Sequence, residues 1–101
     1  MVAKTAWIQC KISPGQFSQE YAIRALDNTG AEFSLFVSNN FVEHSCGEIE
    51  DGTECEGRLM VEVLKEKGEL VLVGLPGRTF ANGSTVTVLR NQLELIEPSH
   101  A

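Results

Sequence analysis

Apolar and polar residues alternate along most of this chain with the period of a β-strand. Ile8, Cys10 and Ile12 share one side of the segment Trp7–Ile12, with Trp7, Gln9 and Lys11 on the other. Tyr21, Ile23 and Ala25 alternate with Glu20, Ala22 and Arg24, and Phe33, Leu35 and Val37 repeat the pattern after Asp27-Asn28-Thr29-Gly30. These segments predict a first strand and an antiparallel hairpin. Ser13-Pro14-Gly15 reads as the turn between the first two strands, with Gly15 taking the left-handed position. Ser38-Asn39-Asn40 supplies capping side chains for a short helical turn carrying Phe41 and Val42.

The second half centres on Arg58 to Leu75, where two apolar arms flank Lys65-Glu66-Lys67-Gly68. The pattern predicts a hairpin with Gly68 in its turn. Its second arm, Leu70-Val71-Leu72-Val73, has no polar face and is expected to be buried on both sides. Leu59, Val61, Val63, Leu70 and Leu72 are the expected core of this hairpin. Pro76-Gly77 is expected to end the strand, leaving Arg78 and Phe80 on a loop before the Asn82-Gly83 turn. Val86 and Val88 point inward on the next strand, and Gln92 to Ile96 forms a short last segment. Between the halves, His44 to Gly57 is irregular. Asp51-Gly52 there suggests a small excursion hairpin with Ile49 as its apolar anchor.

The halves resemble one another. Leu35–Glu43 lies over Val86–Glu94 with identities at Val37/Val88, Asn40/Asn91 and Glu43/Glu94. The expected architecture is one all-β domain over residues 1–101. It is a six-stranded, partly closed antiparallel barrel built from half-repeats 7–44 and 57–96. Closure protects apolar strand edges.

Charge narrows the partners. Fourteen acids against eight bases leave a net charge of −6. Binding of nucleic-acid backbones or anionic membranes relies on Lys and Arg, so neither is expected. No Lys or Arg occurs between Arg24 and Arg58, an interval that holds eight acids. The longest apolar run, Leu70 to Leu75, is too short to span a bilayer, and no secretory leader is legible. The three cysteines then read as reduced thiols in a cytoplasm, with Cys10 an inert core residue.

Chemistry concentrates in the irregular middle. Imidazole and thiolate are zinc ligands, but His44, Cys46 and Cys55 lack the paired spacing of a standard zinc module, so no metal or other cofactor is expected. One register would set Cys46 and Cys55 face to face, although unpaired thiols are expected in a reducing compartment. The acidic run fails as a calcium loop: with Gly52 sixth, the first, third and last positions are Gly47, Ile49 and Arg58. Gly74-Leu75-Pro76-Gly77-Arg78 lacks the Gly-Lys-Ser/Thr end of a phosphate loop. No catalytic triad or carboxylate pair stands out, so an enzyme is not expected.

The residues therefore suggest a non-catalytic module docking a basic protein partner through Glu48, Glu50, Asp51 and Glu54 and through Arg78 and Phe80. The alternatives are a metal or redox sensor using His44, Cys46 and Cys55, and a single-strand nucleic-acid barrel using Arg24, Arg58, Arg78 and Arg90. Outward apolar residues (Trp7, Phe36, Met60, Leu64 and Leu89) add a homodimer as an expectation.

Overall fold

Every long segment with period-two alternation forms a strand. The structure is a computed structural model that describes residues 4–17, 19–50, 52–79 and 83–96, with Arg78 and Thr79 described by backbone alone. Its strands are β1 (Lys4–Pro14), β2 (Glu20–Leu26), β3 (Glu32–Ser38), β4 (Val42–Glu43), β5 (Cys55–Lys67), β6 (Leu70–Thr79), β7 (Gly83–Leu89) and β8 (Leu93–Leu95). Two 3₁₀ turns, Asn39–Phe41 and Arg90–Gln92, lead into the short strands β4 and β8. The all-β, partly closed barrel is the observed fold: one antiparallel sheet curls in the order β4-β5-β1-β2-β3-β6-β7, and β5 also pairs with β6.

Around β1 and β5 the pairing registers of the two halves correspond when 51 is added to a residue number, as from Ile8 to Leu59, whereas β6 answers β2 at a shift of 50, Leu70↔Leu89 matching Glu20↔Ser38. β1 and β5 pair antiparallel with Ile8 opposite Leu59. β4 sets Val42 against Leu59, and β8 sets Leu93 against Ile8, so each half's short strand caps the other half's first strand. Ile8 and Leu59 thus lie at the centre of the β1–β5 seam, and both are buried.

The core takes one face of each strand: Ile8, Cys10 and Ile12 from β1, Ile23 and Ala25 from β2, and Phe33, Leu35 and Val37 from β3. β5, β6 and β7 add Leu59, Val61, Val71, Val73, Val86 and Val88. The expectation that β6 is buried on both faces is corrected. Val71 and Val73 are fully buried, Leu72 is half-buried, and Leu70 is 42% exposed. Val71 opposes Val88 and Val73 opposes Val86, and cross-strand partners share a face. The neighbour's Thr/Val alternation therefore decides the parity that β6 itself does not specify. Val63 is only half-buried, because the β5–β6 register shifts between Val63 and Lys65 and turns Leu64 over Gly74.

Two turns differ from expectation. Gln19, not Gly15, takes the left-handed conformation (φ 68°), because Gly15 closes instead on the Glu20 carbonyl with a 3.0 Å backbone bond. Pro76 does not end β6. The strand bulges away from β7 between Gly74 and Thr79, then at Thr79 pairs both with Gly83 of β7 and with Leu35 of β3, so Arg78 lies in a strand rather than on a loop. A Cβ on Gly77 would lie 2.8 Å from the Phe36 carbonyl oxygen, so glycine is what permits this crossing.

The β2–β3 turn is tied down by one carboxylate. Asp27 accepts from Thr29 N (2.8 Å), Thr29 Oγ1 (2.7 Å) and Ala31 N (3.0 Å), and the Thr29 hydroxyl leads the effects that hold its carboxyl below the usual range. The backbone of the next residue, Asn28, donates to Thr87 in β7. A carboxyl whose folded pKa is depressed stabilises above its unfolded pKa and stops doing so as pH falls through the folded value. Asp27→Asn is expected to lower the melting temperature at pH 7. Its difference from the parent should shrink once pH drops below about 4. A difference independent of pH in thermal melts would contradict this role.

Candidate functional site

The irregular segment after β4 is clasped onto the end of the barrel by a disulfide between Cys46 and Cys55, whose Cα atoms are 6.3 Å apart. This corrects the expectation of unpaired thiols. Cys55 opens β5 opposite Ile12 of β1, where it is buried, while Cys46 lies on the loop and is exposed. Strand pairing holds one sulfur fixed, and the loop carries the other to it. Asp51 lies outside the described residues, and Gly52 takes the left-handed conformation of the expected turn (φ 81°), but among the described residues no strand flanks it to make an excursion hairpin. The loop instead holds a turn in which Thr53 donates its N–H and its hydroxyl to the Glu50 carbonyl (3.2 and 2.6 Å). Ile49 packs against the core as its anchor.

His44 joins the two sulfurs. The ligand atoms of His44, Cys46 and Cys55 all lie within 4.8 Å of one another. Both nitrogens of the His44 ring are engaged: Cys46 N–H donates to Nδ1 (3.2 Å), and Nε2 lies 3.2 Å from the Tyr21 hydroxyl. A nitrogen that accepts carries no proton, so these partners select the tautomer in which Nε2–H donates to Tyr21. The Tyr21 and His44 rings also meet edge to face, 5.5 Å between centroids. Tyr21 sits in β2 opposite Pro14, so the site lies over the C-terminal end of β1, with β2 on one side and β5 on the other.

Gly57 makes the approach possible. A Cβ there would collide with the Ile12 side chain, lie 2.6 Å from the Glu43 carbonyl oxygen and 3.0 Å from the His44 Cβ. Gly57 and Tyr21 are the contributors that sequence reasoning missed. The legible signal was a glycine inside a strand, which marks close approach of another backbone. Beside His44, an open polar depression of about 440 Å³ is lined by Gln9, Glu43, Ser45, Glu56 and Arg58. Arg58 bridges Glu43 and Glu94 (2.9 Å to the latter) and stacks over Trp7 at 5.0 Å. These four residues form two pairs that the 51-residue shift exchanges, Trp7 with Arg58 and Glu43 with Glu94.

Among the acidic docking candidates, Glu48, Glu50 and Glu54 are exposed on the clasped loop, and Glu54 is bonded to Arg24. Asp51 and Phe80 lie outside the described residues, as does the Arg78 side chain. The three arginines whose side chains are described are each committed to carboxylates. Arg24 pairs with Glu32 and Glu54, Arg58 with Glu43 and Glu94, and Arg90 with Glu66. The third cysteine, Cys10, stands apart in the core, where burial pushes its thiol up to about 12 and keeps it neutral.

No helix of the described residues is long and apolar enough to cross a membrane. No family model, curated protein or solved structure matches the chain.

Proposed function

We propose that this chain is a non-catalytic β-barrel that works as a thiol–disulfide switch, with Cys46 and Cys55 as the couple and loop 44–54 as the surface it reshapes. The convergence of His44, Cys46 and Cys55 at the barrel end carries the reading. Exposed Cys46 is the sulfur that a soluble thiol reaches, while buried Cys55 is held in the sheet and stays within reach for reclosure. In a reducing compartment such as the cytoplasm, a disulfide of this kind is regulatory rather than permanent. Oxidation by a low-molecular-weight disulfide proceeds in two exchanges. The Cys46 thiolate attacks one sulfur and expels a thiolate; Cys55 then attacks the Cys46 sulfur and expels the second. Two electrons pass to the oxidant, and the two cysteine protons end on the released thiols.

What the switch controls is the display of Glu48 and Glu50 to a basic protein partner, by charge complementarity, with Glu54 held by Arg24. The ion pairing of Arg24, Arg58 and Arg90 weighs against the nucleic-acid reading, because each phosphate contact would first break a protein ion pair. Equilibration in glutathione buffers followed by alkylation and mass analysis tests the switch. The expected result is a single two-electron transition above about −300 mV, with Cys46 and Cys55 alkylated only on its reduced side. Cys10 should label only after unfolding. A couple that stays oxidised below that potential is a structural staple, and air-oxidised protein with three titratable thiols has no couple; either result defeats the proposal.

A further inference from the structure

We infer that the reduced form of this site binds one zinc ion, with His44 Nδ1, Cys46 Sγ and Cys55 Sγ as protein ligands and water as the fourth, and that oxidation expels the ion. The inference rests on the switch reading, since it assigns a ligand to the reduced state of that couple. Two thiolates and an imidazole are a ligand set that zinc accepts, and three protein ligands leave a position for solvent. Tetrahedral zinc holds its ligand atoms about 3.5–3.8 Å apart, from bonds of about 2.3 Å to sulfur and about 2.0–2.1 Å to nitrogen. A ring nitrogen of His44 and the two sulfurs already fall within 4.8 Å of one another, so the imidazole closes by about 1 Å while the two sulfurs, no longer bonded, move apart. Gly47, beside Cys46, has a φ of 71° and sits on the unpaired loop, where the backbone is able to make that adjustment.

The second observation is the orientation of the histidine. A metal-bound imidazole donates its other N–H to a partner that fixes ring and tautomer. Tyr21 already occupies that place at Nε2, and Nδ1, the nitrogen turned toward Cys46, carries the lone pair. The Cys46 N–H gives up this lone pair when the ion takes it. The polar depression lined by Glu43, Ser45 and Glu56 adjoins His44 and admits the fourth, solvent ligand. Strand pairing thus assembles a donor set that the linear spacing does not announce. Its loss balances: a zinc dithiolate and one small-molecule disulfide yield the Cys46–Cys55 disulfide, two thiolates and the free ion.

The test titrates Zn²⁺ anaerobically, against a chromophoric chelator, into full-length protein reduced and then freed of reductant. One equivalent is expected in the reduced protein and none in the oxidised. Tyr21→Phe, which keeps the ring and removes the hydroxyl, is expected to weaken binding about 10–100-fold. His44→Ala should weaken it further, with the far-ultraviolet circular dichroism unchanged. Adding oxidised glutathione to the loaded protein should release the ion as the disulfide forms. Reduced protein that binds no zinc while its thiols still cycle defeats the zinc site and leaves the switch standing. Zinc held equally by oxidised protein, or indifferent to both substitutions, also defeats it. Failure of Cys46 and Cys55 to form a disulfide at all is read separately by mass, and it removes the switch itself.

Discussion

Leu59→Ala is expected to destabilise the barrel by about 3 kcal/mol, within the roughly 2–5 kcal/mol seen for fully buried leucines. For a domain of this size that lowers the melting temperature by about 12–24 °C. Leu59 is fully buried and is paired on both sides, to Ile8 of β1 and to Val42 of β4. Truncating it opens a void at the β1–β5 seam that two paired strands are poorly able to fill by shifting. The informative control is Leu70→Ala in the same hairpin. The same side-chain atoms are lost there from a position 42% exposed, so the cost should stay below about 1 kcal/mol. Equal losses in chemical denaturation would mean that the parity of β6 is the reverse of the one described.

Opening the clasp should have the next largest effect. The disulfide closes a loop of nine residues' separation, and the chain-entropy model assigns such a loop about 2.7 kcal/mol. Reduction, or Cys46→Ser, is expected to lower the urea midpoint by about 1–2 M. The location of the change matters as much as its size. The other restraints on the described part of loop 44–54 are light: the Tyr21–His44 contact, the Cys46 N–H bond to His44, the Glu50–Thr53 turn, the Arg24–Glu54 ion pair and the partial burial of Ile49. Amide exchange in the reduced protein should therefore rise most in this loop, while β1, β2 and β5 lose only the protection that matches the global loss read in urea. A rise no larger in the loop than in the strands would show that the clasp supports the barrel as a whole rather than the loop.

The contrast between these experiments follows how the site is built. Cys55, Gly57 and Leu59 are successive odd positions on β5 that meet the loop, the β4 backbone and the core. Their roles differ because their neighbours differ. The sequence showed that Cys46 and Cys55 flank a turn and that one register would bring them together. It carried no sign that Tyr21, from a strand more than twenty residues earlier, reaches the same histidine. That contact exists because β2 and β5 both flank the end of β1. The docking residues were read from charge alone. The tertiary fold divides them, since Glu54 is committed to Arg24 while Glu48 and Glu50 stand exposed on the loop.

Alternation alone determined the strands whose two faces differ in chemistry. β1, β2, β3 and β7 bury the side that their polar residues leave free, and the Asp27-Asn28-Thr29-Gly30 turn ends β2 where it should, as Lys67-Gly68 ends β5. Where a segment is apolar on both sides, as in Leu70–Val73, no face is disfavoured locally, and the neighbouring strand's pattern assigns the parity. Pro76 gave a stop signal that the sheet overrode, since a proline at a bulge forgoes no ladder bond there. The ligand cluster is the clearest case of a tertiary decision. His44, Cys46 and Cys55 were visible as residue types, but a spacing along the chain is not a distance. The distances came from the pairing of β1 with β5 and from the glycine that lets the loop lie against it.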